Sequence, residues 1–594
     1  MALGFFAVAR SAKINFFRIF GGTVMKTRFF NIGVWVAGFV LLAGYGGFAA
    51  AQSATPFQIL GHIQRFDLDL TIGTGCPAAY VGAVMTVNGI DVVIPCYTII
   101  VMPAAYLTPK QLFDKSTLPP TVLPKSGLAL ADKIDPADPD PSVSTKILDV
   151  PPYAAFEASL DGNIVGGRYI AGQVHISQQS LNMSAGFIRL INYTTGELCV
   201  GGLTTAVATC AAPDTRVRIN DPSGTYGLAD DPPAPAPLQR KRTPDERFSV
   251  DTDNPTVHAL TGYPMCVPRL NPSSSTDPLC PITNRTNAAG LTTFVMTGPA
   301  ITTGLPPGHP PILPCSPACN PNEQVPFVVG DYINFQGTLA KDVPGSPGAN
   351  PTNPFYVSAH TVVANVAVYT AAGAGQRVYV SQEKSLLGTF GAPSAACASA
   401  IECQARLKIE GFITDPTRAA RVGVYAVDTD ALGARIVRKL TIAQKAQAPF
   451  GRFRFILGRG TVGALLPPGK GATREIMVRV DEPALADGSP VPDKRGNPPT
   501  IPPAPTVANG IVAGQYVAPV GEYIFPESVF LGAPQPELNF RCLAFAAAGW
   551  GIRDVNGTGA TDLTGILQLD PWPGSAPPPL APPAGTSTID CSNL

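Results

Sequence analysis

Hydrophobic and polar residues alternate along many short segments of this chain, with turn residues between them. Residues 332–339 alternate strictly, and the apolar runs 84–87 and 90–94 flank Asn88-Gly89. An Asn-Gly pair between two such runs favours a two-residue hairpin, because both turn residues need positive φ. Short alternating segments between turns predict strands. We therefore expect an all-β fold with few and short helices.

The alternating segments group into modules. The strands in 56–116 suit a small β-barrel of the oligonucleotide/oligosaccharide-binding (OB) type. Residues 153–220 and 326–374 predict a second and a third β module of the same kind. Residues 375–480 contain strands at the spacing of a β-sandwich. The sequence thus predicts tandem OB-like barrels followed by a sandwich-like region.

Three glycine-containing segments look like one repeated element: Gly61-His-Ile-Gln64, Gly162-Asn-Ile-Val165 and Gly337-Thr-Leu-Ala340. This similarity supports the tandem arrangement. The remaining segments are a Pro/Asp-rich linker at 117–152, a loop-rich disulfide-braced segment at 221–325, a Pro-rich linker at 481–506 and a C-terminal β/loop region at 507–594.

The longest apolar run lies near the start of the chain, from about Phe29 to Ala51. It follows the basic segment Met25–Arg28 and ends in small residues, which is the pattern of a signal peptide cleaved near Ala51. Residues 1–51 are thus predicted as an export signal, with Met25 as the favoured start and a long n-region as the alternative. An uncleaved membrane anchor is also open, because about 20 apolar residues span a bilayer. Cleavage would give a secreted, periplasmic or extracellular protein.

The composition is rich in turn formers and poor in charge. The chain has 63 Pro and 59 Gly in 594 residues, and only 14% of its residues are charged. Frequent prolines argue against long helices, whereas 45% hydrophobic residues are enough for a buried core. Lys+Arg and Asp+Glu are both 42, so the zero net charge argues against nucleic acid as a partner. Membrane contact is expected only through the export signal.

Twelve cysteines are present, an even number. In an exported protein the expected state is disulfide-bonded. A metal or redox role for the Cys315–Cys319 segment is disfavoured, because it lies in a Pro-rich loop with no second cysteine pair beside it. We expect neighbours in sequence to pair: Cys76–Cys96, Cys199–Cys210, Cys266–Cys280, Cys315–Cys319, Cys397–Cys403 and Cys542–Cys591.

One segment resembles the start of a calcium-binding loop. Asp554, Asn556, Thr558 and Asp562 place oxygen-bearing side chains at alternating positions, with a glycine at the sixth position. The twelfth position is Gly565, where such a loop needs a carboxylate. A weak calcium site is one hypothesis, and a Gly/Asn-rich turn is the alternative. No other cofactor is expected.

The motifs of several enzyme classes are absent from the sequence. Its five histidines include no His-Glu-x-x-His pair, and neither Gly-x-Ser-x-Gly nor a phosphate-binding P-loop occurs. His62, His175 and His360 fall within strand patterns and are interpreted as barrel-face residues. No catalytic residue is assigned. Four Asn-x-Ser/Thr glycosylation sequences begin at Asn182, Asn192, Asn284 and Asn556.

Several segments resemble a group of uncharacterised exported proteins of bacteria and filamentous fungi. The similar segments are 84–95 with 102–108, 169–172 with 176–182, and 513–516 with 524–527. The resemblance implies export and a β-rich fold. It implies no activity, substrate or site residue.

Two functional hypotheses follow. The first is a non-catalytic exported protein with a binding, adhesion or surface-structural role, whose partner would be an extracellular polymer or a cell-surface component. The alternative is a secreted hydrolase, for example a carbohydrate-active one, with an active site dispersed along the sequence. The lack of catalytic motifs favours the first.

Overall fold

The computed structural model contains strands throughout the part of the chain that it describes. Its described residues contain 26 strands and one α-helix, so the predicted all-β fold is confirmed. The described residues are 55–72, 81–95, 98, 100–103, 106–116, 124–133, 156–165, 167–178, 183–229, 245–251, 254–285, 292–303, 305, 307–316, 319–342, 345, 348–370, 377–388, 407–429, 435–442, 445–447, 450–457, 475–480, 511–519 and 522–524.

The first sheet closes into a five-stranded barrel. Its order is β3-β2-β1-β6-β7, and a parallel pairing of β3 with β7 closes it. This is the strand order of the OB fold. The short strands β4 and β5 continue the sheet beyond β7. The strands are β1 (Thr55–Asp69), β2 (Gly82–Val87), β3 (Ile90–Ile94), β4 (Ile100–Val101), β5 (Tyr106–Leu107), β6 (Phe156–Val165) and β7 (Arg168–Gln178).

The predicted Asn88-Gly89 hairpin is present in this barrel. Asn88 and Gly89 have φ values of 53° and 76°, and Val87 pairs with Ile90 across the hairpin. The helix α1 (Pro109–Asp114) begins after Thr108, whose side chain forms a capping box with Gln111. Its residues Leu112 and Phe113 are buried in the barrel core.

The second sheet repeats the same barrel. Its order is β10-β9-β8-β15-β16, and a parallel pairing of β10 with β16 closes it. Further short strands lie in the insertion between β10 and β15 or follow β16. The strands are β8 (Met183–Asn192), β9 (Glu197–Gly201), β10 (Thr215–Ile219), β11 (Val257–Ala259), β12 (Met265–Cys266), β13 (Thr293–Val295), β14 (Val325–Pro326), β15 (Tyr332–Lys341), β16 (Phe355–Ala364) and β17 (Ala367–Tyr369).

Strand pairing divides the chain differently from the predicted modules. The first barrel takes its last two strands from 156–178, beyond the predicted linker 117–152. The second barrel joins 183–219 to 332–364, on either side of the loop-rich segment. Both intervening segments are therefore insertions between the third and fourth strands of a barrel. The module boundaries differ because alternation reveals a strand but does not specify its distant partner.

The predicted glycine repeat holds for two of its three members. Gly162 and Gly337 both lie in the fourth strand of a barrel, at a register shift against the fifth strand. A Cβ atom would lie 2.0 Å from the Ile170 carbonyl oxygen at Gly162 and 2.2 Å from the Ser358 carbonyl oxygen at Gly337. Gly61 differs, because it lies in a first strand and faces the Asn88 side chain.

Replacing Gly337 by alanine should destabilise the second barrel by about 2 kcal/mol, because the backbone at the bulge must move to admit a methyl group. Gly202→Ala is the matched control, since nothing lies within 4 Å of the position that its new Cβ atom would take. The urea midpoints of both variants test this. Equal midpoints for Gly337→Ala and the wild type would contradict the expected close packing at the bulge.

The third region consists of two sheets, as expected for a sandwich-like arrangement. Their orders are β22-β23-β19-β18-β26 and β21-β20-β24-β25. The strands are β18 (Val380–Gly388), β19 (Leu407–Ile413), β20 (Val422–Thr429), β21 (Arg435–Ile442), β22 (Lys445–Gln447), β23 (Arg452–Leu457), β24 (Glu475–Val480), β25 (Gln515–Pro519) and β26 (Glu522–Ile524).

Three of the predicted disulfides are present: Cys199–Cys210, Cys266–Cys280 and Cys315–Cys319. They indicate an oxidising environment. The predicted export signal, residues 1–51, lies outside the described residues, and so do Cys76, Cys96, Cys397, Cys403, Cys542 and Cys591. Among the described residues, we find no helix with the length and apolar character needed to cross a bilayer.

Candidate functional site

The predicted calcium ligands Asp554, Asn556, Thr558 and Asp562 lie outside the described residues, so that hypothesis stays a prediction. Within the described ranges, no group of three or more His, Cys, Asp or Glu side chains has a geometry that could hold a metal ion.

The ligand face of an OB barrel is the outer surface of its second and third strands, flanked by two loops. In the second barrel this face carries an Arg–carboxylate cluster of Glu197, Arg216, Arg218 and Asp342. Arg216 lies 2.7 Å from Glu197 and 2.6 Å from Asp342, measured between nitrogen and oxygen atoms. Arg218 lies 2.8 Å from each of the same carboxylates. The two positive and two negative charges therefore neutralise one another on this face.

The connection between β15 and β16 covers this cluster. It contributes Asp342 and the carbonyl oxygens of Gly348 and Asn353, which accept hydrogen bonds from Arg216. Burial alone would lower the pKa of Arg216, but its hydrogen bonds with Glu197 and Asp342 raise that pKa above its usual value. Arg216 is only 1% exposed. The usual ligand face of the second barrel is thus occupied by the protein itself.

On the corresponding face of the first barrel, the described charged groups pair with one another. Thr86 donates a hydrogen bond to Asp91 at 2.5 Å. Arg65 lies 3.2 Å from Asp67 and 3.7 Å from Asp91. Exposed ion pairs of this kind contribute little to stability and need no ligand to satisfy them.

A cavity lies beside the closed face of the second barrel, at the turn between β8 and β9. Its volume is about 450 Å³. We call it the Tyr193 pocket, and its walls come from the end of β8, the β8–β9 turn, the β9–β10 connection and the segment 269–271. Its lining residues are Leu190, Ile191, Asn192, Tyr193, Thr194, Ala208, Arg269, Leu270 and Asn271.

Covalent and ionic contacts fix two walls of this pocket. Disulfide Cys199–Cys210 bounds the connection that contains Ala208, and Cys266–Cys280 bounds the segment that contains Arg269. Arg269 donates hydrogen bonds to Asp277 and to the carbonyl oxygens of Gly224 and Thr225.

The charge of Arg269 is compensated locally. Burial alone would raise the pKa of Asp277, but hydrogen bonds from Arg269 and Leu279 and the charge of Arg269 hold that pKa below its usual value. Asp277 is therefore ionised and pairs with Arg269 at 2.9 Å. Hydrogen bonds and an ion pair hold this wall, and its arginine is not available as an unpaired cation.

The pocket offers one aromatic ring and neutral hydrogen-bonding groups. Tyr193 is half-buried, and burial raises the pKa of its phenol, so the hydroxyl stays protonated. The Asn192 side-chain oxygen accepts hydrogen bonds from the Thr194 and Thr195 amides, and that of Asn271 accepts one from the Ser273 amide. The lining contains no carboxylate, histidine or cysteine. This chemistry suits binding and offers no acid–base pair.

The sequence pointed to this pocket only indirectly. Asn192 stood out as the start of a glycosylation sequence, and it is exposed in the turn. Asn284, the start of another, is fully buried and donates hydrogen bonds to main-chain carbonyls. Tyr193 carried no sequence signal, because the segment 269–271 that faces it is distant along the chain.

The histidines interpreted as barrel-face residues lie on strands. His62 and His175 are half-buried, on β1 and β7 of the first barrel. His360 lies on β16 and is 6% exposed, and burial lowers its pKa to about 4.

No family model matches this chain, and neither curated proteins nor solved structures show a significant similarity to it.

Proposed function

We propose that this protein is a non-catalytic exported binding protein whose Tyr193 pocket holds a neutral saccharide of an extracellular polymer or cell surface. The observation that carries the proposal is the lining, which combines a half-buried tyrosine with asparagine side chains and no carboxylate. Its volume of about 450 Å³ is within the range of small-molecule sites, about 300–1,000 Å³.

The ligand class follows from charge and shape. A sugar ring presents C–H groups on its faces and hydroxyls at its edge. A tyrosine ring covers such a face at low entropic cost, and asparagine amides donate to hydroxyls. Because Asp277 neutralises Arg269, the pocket has no excess positive charge to select a phosphate or carboxylate ligand.

Tyr193→Ala should weaken saccharide binding at least about tenfold, because it removes the aromatic wall, whereas Tyr193→Phe should retain most of the affinity. Screening the secreted chain on a glycan array and then titrating each hit calorimetrically would measure this. Leu60→Ala is the control, since that side chain is 64% exposed on the first barrel. Failure of the chain to bind any neutral glycan, or unchanged binding by Tyr193→Ala, would refute the proposed function.

A second candidate, a hydrolase, has one observation in its favour. On the outer face of the first barrel, Ser159 pairs directly with His175, and Glu157 pairs with His62. Side chains directly opposite on neighbouring strands lie close enough to interact, so a serine, a histidine and a carboxylate share this face. A fluorophosphonate probe that labels the wild type but not Ser159→Ala would support this candidate. Absence of any adduct in the intact mass would remove it.

A further inference from the structure

The Tyr193 pocket lies at one end of the outer side of strand β8, and the β9–β10 connection contacts this strand at Arg189. Strand β8 leads from Asn192, at the pocket, back to Phe187. A register shift between Ile188 and Leu190 accommodates one extra residue, so that Phe187, Leu190 and Asn192 share the outer side of the barrel. Ile188 and Ile191 belong to the core. At about 3.3 Å per residue, Phe187 lies on the order of 16 Å along the strand from Asn192.

An aromatic pair occupies this second position. Phe187 and Tyr332 are register partners on β8 and β15, and their ring centroids are 5.1 Å apart with an interplanar angle of 73°. Tyr332 is 37% exposed, and Met183 on the same face is 53% exposed. A partly exposed aromatic pair beside polar side chains is a composition found at many ligand contact sites.

The surroundings of the pair are uncharged and include two side-chain amides. Asn334 and Gln336 follow Tyr332 on the outer face of β15 and pair with Ala185 and Met183 of β8. Among the described residues, neither of these side-chain amides makes a hydrogen bond with the protein. We call the set Met183, Ala185, Phe187, Tyr332, Asn334 and Gln336 the aromatic patch.

The charged side chain of β8 is already engaged. Arg189, between the patch and the pocket, donates two hydrogen bonds to Asp214, at 2.8 and 2.6 Å, and one to the Thr205 carbonyl oxygen. The surface from pocket to patch therefore has no unpaired charge among its described residues, which disfavours an anionic polymer and matches a neutral one.

We infer that the aromatic patch is a second subsite for the same ligand, so that the ligand is an extended, neutral oligosaccharide chain rather than a single sugar. This inference rests on the proposed function of the Tyr193 pocket. The separation of the two sites requires several linked sugar units, and the edge-to-face angle of the rings suits a single chain better than a flat crystalline surface. Binding at two linked subsites increases affinity, because the second contact becomes intramolecular.

Calorimetric titration of the full secreted chain with neutral gluco- and manno-oligosaccharides, from the monosaccharide to the hexasaccharide, tests the inference. We expect the affinity to rise with chain length and then level off when the chain reaches the patch. Tyr332→Ala should lower the affinity for the longest oligosaccharides about fivefold to tenfold and leave that for the shortest unchanged. Tyr193→Ala should weaken both.

Two further variants separate a subsite from a folding effect. Asn334→Ala removes an exposed amide of the patch and should also weaken only the longer oligosaccharides. Phe450→Ala is the matched control, since Phe450 is similarly exposed, at 36%, but belongs to the third region, where it precedes β23. Equal affinity for short and long oligosaccharides, or unchanged binding of long ones by both patch variants, overturns the inference and leaves the proposed function standing. Absence of binding at every length overturns the proposed function itself.

Discussion

Replacing Asp342 by alanine should destabilise the second barrel by about 3–5 kcal/mol. The variant would leave Arg216 and Arg218 with one carboxylate, Glu197, for two buried guanidinium groups. Arg216 and Arg218 are 1% and 6% exposed, so water cannot replace the lost partner. Native-state hydrogen exchange of amides in β10 and β16 would measure the loss locally.

Asp114→Ala is the matched control for this variant. Asp114 pairs with Lys110 at 2.7 Å, but its side chain is 54% exposed, so its loss should cost less than about 0.5 kcal/mol. Adding Arg218→Met to Asp342→Ala should recover part of the stability, because it removes the excess positive charge. If Asp342→Ala were no more destabilising than Asp114→Ala, the cluster would not be the brace that holds the β15–β16 connection.

This cluster also explains why the pocket lies beside the usual ligand face and not on it. The β15–β16 connection fills that face with paired charges, and the turn that begins at Asn192 stands next to it, since Asn192 pairs with Glu197. A ligand can therefore approach only the edge of the closed face. The ion pairs that keep a ligand away from β10 also hold Glu197 of β9, and the connection that follows β9 forms one wall of the pocket.

Features determined by neighbouring residues were predictable from the sequence. Asn88-Gly89 alone specifies the β2–β3 hairpin, because few residue pairs adopt positive φ twice in succession. The disulfides Cys315–Cys319 and Cys199–Cys210 each close a short loop, so sequence order identified the partners. Regular alternation in residues 332–339 predicted β15 in the same way.

Features determined by distant residues were not predictable. Residues 215–219 alternate between charged and apolar side chains and read as a strand with one solvated face, but Asp342 and its loop cover that face. The fourth strand of each barrel follows a long insertion, so its pairing leaves no local signal. Tyr193 forms a pocket only because a segment some 75 residues later, 269–271, folds against it.

The two barrels should respond to pH in opposite directions, and Asp161 determines the response of the first. It lies on β6, is 8% exposed, and its Oδ1 atom has no hydrogen-bond partner within the described structure. Burial raises its pKa from 3.8 to about 6, although a hydrogen bond with Gln58 opposes the shift. The folded state thus favours the neutral acid. The stabilisation that the neutral Asp161 gives is complete below about pH 4 and is lost as the pH rises through 6, which changes the free energy of unfolding by about 3 kcal/mol.

Asp161→Asn should therefore stabilise the first barrel by about 2–3 kcal/mol at pH 7.5 and have little effect at pH 4. The variant keeps an amide of similar shape and removes the charge. Hydrogen exchange of the β6 and β7 amides at the two pH values would measure it. An equal effect of Asp161→Asn at pH 7.5 and at pH 4 would show that Asp161 has the same protonation state at both pH values.

The pKa shift of His360 gives the stability of the second barrel the opposite dependence on pH. Burial lowers its pKa from 6.5 to about 4, so the folded state favours the neutral imidazole. That stability is complete above pH 6.5 and is lost as the pH falls through 4, again about 3 kcal/mol. His360→Gln should therefore remove the loss of stability at acidic pH.

The two barrels have separate hydrophobic cores, so we expect the β6–β7 amides to gain protection from hydrogen exchange on acidification while the β15–β16 amides lose it. Parallel changes in both sets would mean that the barrels unfold as one cooperative unit, in which the two opposite contributions nearly cancel between pH 4 and 6.5.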